Sequence, residues 1–218
     1  DLQPPCTCGE GTACAPDHAM VCNHTKGDTN LRHDHVVDVW CSHVRKAMFA
    51  VARETRYRDL ARTVPAIANA RLRRGDFHGL YKGQVFVGDV VVTHPGGSNS
   101  HAAARTTGAA TRKAEMRKHR EFREMGEPEG KRFVALAMDT LGHSGDEAVR
   151  FANELGEAVA QGGGCKKTYM RAFWTELSCA LTRGLGRQYN KTEVNVLRAS
   201  GDHFQMGHEV VISGHCDE

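Results

Sequence analysis

The amino-acid sequence predicts an α/β fold: a mixed β-sheet flanked by helices, preceded by a small cysteine-rich segment. Three observations carry that expectation. Apolar residues recur at three- and four-residue steps in several separate stretches, as amphipathic helices require. The run Val85-Phe86-Val87-Gly88-Asp89-Val90-Val91-Val92 is apolar at nearly every position, which marks a strand covered on both faces. The segments follow the order helix, strand, strand, helix, strand, helix, and that order suits a mixed sheet with helices on both sides.

Taken in order, residues 1 to 30 are rich in Gly, Pro, Cys and polar side chains and lack apolar periodicity, so they need an external staple to be ordered. From His33 the residues Val37, Trp40, Val44, Met48 and Val51 form a helical stripe reaching about Thr55, with Thr29 or Asn30 as its cap. Residues 57 to 75 carry Pro65 and a basic end at Arg71, Arg73 and Arg74, and no element is assigned to them. Asp76 to Tyr81 and Gln84 to His94 read as a hairpin around Lys82-Gly83, where glycine tolerates positive φ. A helix from about Ala102 to Met125, interrupted near Gly108, follows the loop Pro95 to Ser100. Arg132 to Met138 is a third strand. Asp146 to Gln161 is a helix with Val149, Ala152 or Phe151, Leu155 and Val159 inward, and Thr168 to about Arg187 is another, with Phe173, Leu177, Leu181 and Leu185 in line.

At 23.9 kDa, 40% hydrophobic and 25% charged, the chain has the composition of a globular protein with one core. No stretch approaches the roughly 18 apolar residues of a spanning helix, so no membrane is expected as a partner. The first residues, Asp1-Leu2-Gln3-Pro4-Pro5, have neither the basic start nor the apolar run of a signal peptide, and read as a cut from a longer polypeptide. A net charge of +3 does not by itself imply a polyanionic partner. The local excess of Arg105, Arg112, Lys113, Arg117, Lys118, Arg120 and Arg123 over Glu115, Glu121 and Glu124 is more informative, although a solvated helix face has the same look.

Two constellations carry chemistry. Cys6, Cys8, His18 and Cys22 supply three thiolates and an imidazole, which satisfy tetrahedral zinc. Cys14 in place of Cys6 completes an equivalent set, and His24 is also within reach. Four protein ligands leave no position for a reactive water, so such a zinc would be structural. The second constellation is the hairpin pair Asp76 and Asp89, separated by the length of two short strands and a turn. A buried carboxylate in so apolar a strand costs folding free energy unless it is paired, and two at one end of a sheet suit a divalent cation, Mg2+ foremost. A nearby lysine would stabilise developing negative charge. The alternative is that Asp76 ends a turn and Asp89 pairs with a buried arginine. Arg32-His33-Asp34-His35 opens the first long helix, either at the edge of this site or as capping and packing against the cysteine loop; His94 and His101 are peripheral candidates.

Cys22-Asn23-His24-Thr25-Lys26-Gly27, Arg32-His33-Asp34, Gly75-Asp76 and Val87-Gly88-Asp89-Val90-Val91-Val92-Thr93-His94-Pro95, in this order, resemble the C-terminal region of site-specific non-LTR retrotransposon polyproteins. There a Cys-Cys-His-Cys zinc knuckle leads into a restriction-like endonuclease of the PD-(D/E)xK class. The resemblance spans roughly residues 6 to 185 and implies a knuckle over 1–30, a restriction-endonuclease-like domain over 31–190 and a tail over 191–218. It implies Asp76 and Asp89 as catalytic Mg2+ ligands, and Lys118, with Lys113 second, as the catalytic lysine. Arg32, His33, Arg112, Arg117 and Arg120 fall to nucleic-acid binding. Gly75 stands where the family has proline, and Glu121 where lysine is common. The implied activity is hydrolytic nicking of target DNA in the nucleus, leaving a 3′ hydroxyl that primes reverse transcription of the element RNA held by the rest of the polyprotein. A binding module that keeps the fold without cleaving is the competing expectation.

Overall fold

A computed structural model describes residues 16–22, 25–47, 50–53, 75–81, 83–96, 106–124 and 131–199. Its elements are α1 (Pro16–Val21), α2 (Lys26–Ala47), β1 (Ala50–Arg53), β2 (Phe77–Tyr81), β3 (Gln84–Thr93), α3 (Ala109–Glu124), β4 (Arg132–Asp139), α4 (Asp146–Gln161) and α5 (Lys166–Ala199). The four strands form one sheet in the order β1-β2-β3-β4. Its first two pairings are antiparallel and β3 with β4 is parallel, so the fold is mixed α/β with helices flanking the sheet. A parallel pair needs a crossover, and α3 provides it.

Side-chain alternation sorts the strands into two faces. Phe86 and Val90 of β3 and Val134, Leu136 and Met138 of β4 join Val36, Val37, Trp40, Phe151, Leu155, Phe173 and Leu177 in the main core. The alternate residues Val87, Phe133 and Ala135 pack with Phe122 in a second cluster beneath α3. Helix α2, with α4 and α5, therefore covers one face and α3 the other. Asp89 has the parity of Val87, which turns it toward α3.

The hairpin is spaced by two glycines that oppose aromatic rings. Phe77 pairs with Gly88 and Gly79 with Phe86, and a Cβ on Gly88 would run into the Phe77 ring. Phe77 is fully buried, so it has no room to retreat. Gly88→Ala should destabilise the fold by about 1–3 kcal/mol, the usual cost of overpacking, read as a lower denaturant midpoint.

Several boundaries differ from expectation. Helix α2 begins at Lys26, and it ends at Ala47 rather than near Thr55. Thr29 lies inside it, its hydroxyl donating to the Thr25 carbonyl at 3.2 Å, and Val51 belongs to edge strand β1. Val51 continued the helical spacing by coincidence, since one residue fits either period. Val149 is exposed, and Ala148, Phe151, Ala152 and Leu155 form the inward face of α4. Helix α5 runs past Arg187 because Gln188 and Thr192, both buried, extend its inner face with polar side chains that an apolar stripe does not register. Helices α2 and α5 thus cross the boundaries expected at residues 30 and 190. Gln188 Nε2 donates to Thr29 Oγ1 at 2.7 Å, and its Oε1 accepts from Arg32, joining these two helices.

Candidate active site

The register of the hairpin builds the site. Phe77 opposes Gly88, so Asp76, the residue just before β2, comes level with Asp89 where the two strands begin to part. Asp76 turns back across this gap, and its Oδ2 accepts a hydrogen bond from the Val90 amide at 2.6 Å. The two carboxyl groups are near enough to shift one another's titration, Asp76 adding to the rise at Asp89. From the α3 side, Lys118 Nζ stands 3.1 Å from Asp89 Oδ2, with Glu121 a further 4.0 Å neighbour of the same ammonium. From the α2 side, His33 Nε2 stands 3.1 Å from the Val90 carbonyl oxygen and 3.3 Å from Asp76 Oδ2.

Local sequence explains why these side chains arrive together. Ala114, Lys118 and Phe122 lie four residues apart on α3, and Ala114 and Phe122 are buried against the sheet. Lys118 is thereby carried on the inward stripe, its ammonium reaching Asp89. Lys113 falls on the exposed side of the helix, so of the two lysines Lys118 belongs to the cluster. His33 sits just before Val36 and Val37, whose burial pins this stretch of α2 to the core.

The electrostatics divide the two acids. Burial pushes Asp89 up to about 6 against the pull of Lys118, and neighbouring Asp76 adds to the rise. Asp76 is half-buried, which works against its charge, but the hydrogen bond and charge of His33 and the Val90 amide outweigh that and hold it below its ordinary value. For His33 burial opposes the charge; Asp76, the Val90 carbonyl and Asp34 overcome it and raise the imidazole to about 9.

These residues fit a hydrated divalent cation. The Val90 amide and the His33 imidazole both approach Asp76 at Oδ2, and a cation would meet the carboxylate from the side these two do not occupy. Asp89 retains its proton to about 6 even with an ammonium in contact, so a second cation would relieve its burial cost. Among the described residues no group of three or more His, Cys, Asp or Glu side chains is gathered into a metal cage. Mg2+ does not ask for one: a carboxylate or two, waters and a phosphate oxygen complete its shell.

No protein-family model matches the chain, and no curated protein matches it.

Of the other expected site residues, Arg112, Arg117 and Arg120 are exposed on α3. Arg32 is not available to nucleic acid: it is 2% exposed and bonded to Gln188, so it fastens α2 to α5. His94 lies beyond β3, its Nδ1 2.6 Å from Thr140 Oγ1, and His101 lies outside the described residues. Cys6, Cys8, Cys14 and His24 of the zinc constellation also lie outside them. His18 and Cys22 are described and both buried, His18 within α1 and Cys22 just past its end. Sequence reasoning did not find the Val90 amide that anchors Asp76; a backbone donor leaves no trace in residue identity, and only the register reveals it.

Proposed function

We propose that this chain is the zinc-stapled, Mg2+-dependent endonuclease domain of a retrotransposon protein and nicks target DNA to expose a 3′ hydroxyl for reverse transcription. The observation that carries this reading is the cross-strand meeting of Asp76 and Asp89 with the Lys118 ammonium 3.1 Å from Asp89. Asp76 and Asp89 would hold the cation. Bound there, Mg2+ would polarise a phosphate oxygen and acidify a water. Lys118 contributes a fixed positive charge beside the pair, placed to stabilise negative charge developing on the phosphate. Cys6 or Cys14, with Cys8, His18 and Cys22, would hold the structural zinc. Target DNA, element RNA bound elsewhere in the polyprotein, and a nuclear location belong to the same proposal.

The test is plasmid nicking with Mg2+ against chelator. Lys118→Ala should lower the rate about 10²- to 10³-fold, as loss of a preorganised charge donor does, with Lys113→Ala near wild type. Equal losses in both variants would remove Lys118 from its role.

Arg112, Arg117 and Arg120 present guanidinium groups on the exposed part of the helix that delivers Lys118, which suits phosphate contacts beside the cluster. Replacing all three by alanine should weaken DNA binding regardless of sequence and reduce the log–log salt slope by about 3, close to one per lost phosphate contact. An unchanged slope in a salt titration would place the DNA elsewhere.

One observation favours a second reading, a nucleic-acid-binding module without cleavage: His33 and Lys118 can balance the charges of Asp76 and Asp89 unaided. Salt-sensitive binding with no nicking under any divalent metal would select it.

A further inference from the structure

The polar groups around Asp76 contain one histidine that neither holds the cation nor touches DNA in the mechanism above. We infer that His33 is a positioning residue that sets the Asp76 carboxylate for the metal. The inference rests on the endonuclease reading and deepens it.

The geometry is a closed circuit. The Val90 amide donates to Asp76 Oδ2 at 2.6 Å, and the carbonyl of the same residue faces His33 Nε2 at 3.1 Å. His33 Nε2 is in turn 3.3 Å from that same Asp76 oxygen. Both backbone groups of Val90 are thus tied to Asp76, one directly and one through the imidazole. Val90 follows Asp89, so the circuit gauges one carboxylate against the strand that carries the other. Without His33, Asp76 loses its contact with α2 and gains freedom to rotate about the hydrogen bond from the Val90 amide.

The ring is itself oriented. Its second nitrogen, Nδ1, lies 3.5 Å from Asp34 Oδ1, and Arg53 of β1 stands 3.4 Å from that carboxylate oxygen. A carboxylate behind a histidine, which in turn braces a metal-binding group, is the arrangement by which outer residues orient ligands, and its loss commonly lowers metal affinity 10- to 100-fold. The support is rigid, because Val36, Val37 and Trp40 bury the next turns of α2 in the main core. An aspartate approached at Oδ2 from two elements is held in one orientation for the cation.

The test uses the whole chain and Mn2+ alone as the probe, with binding read by electron paramagnetic resonance of the free ion and nicking measured separately. His33→Ala should weaken Mn2+ binding about 10- to 100-fold, while nicking at saturating metal recovers most of the wild-type rate. His33→Gln places an N–H donor near the Nε2 position and should restore most of the affinity. Should the alanine variant fail to fold, His33→Asn serves instead, because its amide is too short to reach Val90 and Asp76. Wild-type affinity in the alanine or asparagine variant, or a glutamine variant no better than alanine, would overturn the inference and leave the endonuclease reading intact. If the wild-type chain binds no Mn2+ that Asp89→Ala removes, both fall together.

Discussion

Asp89→Asn should abolish divalent-dependent nicking, by roughly a thousandfold or more, and at the same time make the metal-free protein more stable near neutral pH. The first effect follows from removing one of two anionic ligands from a site asked to supply several kcal/mol of charge stabilisation, each 1.4 kcal/mol or so being about tenfold in rate. The second follows from proton linkage. The folded-state pKa of Asp89, about 6, lies above its ordinary value of 3.8. Between those values the native state holds a proton that the unfolded state has lost, so this group's contribution to stability falls as pH rises, reaching its full cost above about 6. Asparagine keeps the shape and removes the charge, and Lys118 retains Glu121 as a neighbour. Urea midpoints for the two proteins with chelator present should therefore differ in favour of the variant near pH 7.5 and converge near pH 4. A variant that nicks at the wild-type rate would end the catalytic reading. One that is inactive but less stable at neutral pH would mark Asp89 as half of a structural ion pair.

The largest loss of stability is expected at Trp40. Its side chain is 2% exposed, stands edge-on to Phe173 with ring centroids 4.7 Å apart, and lies 5.9 Å from Phe151. It is thus the place where α2, α4 and α5 share one contact. Trp40→Ala removes a large apolar surface and leaves a cavity that three helices and a sheet cannot collapse to fill, a change worth about 3–5 kcal/mol. The denaturant midpoint should fall accordingly, with little change in its slope if unfolding stays two-state. A loss below about 1 kcal/mol would mean that the helices repack freely over the sheet. Because α2 also carries His33, partial loosening of this layer should reach the carboxylate pair before the whole fold is lost.

Periodicity was most reliable where burial is carried by apolar side chains. Helix α4 has the bounds expected for it, Asp146–Gln161, and β4 extends its expected strand by one residue, to Asp139. It failed where polar residues do the packing, as at Gln188 and Thr192, and where a segment is too short to show a period, as in β1. The preference for Lys118 over Lys113 came from the resemblance. It was also available in the spacing, because Ala114 and Phe122 flank Lys118 on one stripe while Lys113 lies off it.

By itself the sequence determined the class of fold, the hairpin with its aspartates and the basic helix after it, since these depend on neighbours along the chain, where hydrophobic period and turn chemistry act. Only the tertiary structure decided that Asp76 reaches the Val90 amide, that His33 and Lys118 approach the acid pair from opposite faces of the sheet, and that Arg32 turns inward to Gln188. Those outcomes depend on strand register and on the rotation of each helix about its axis. Both are set by the packing of Trp40, Phe122 and their partners at long range, and that information is written in no local stretch of residues.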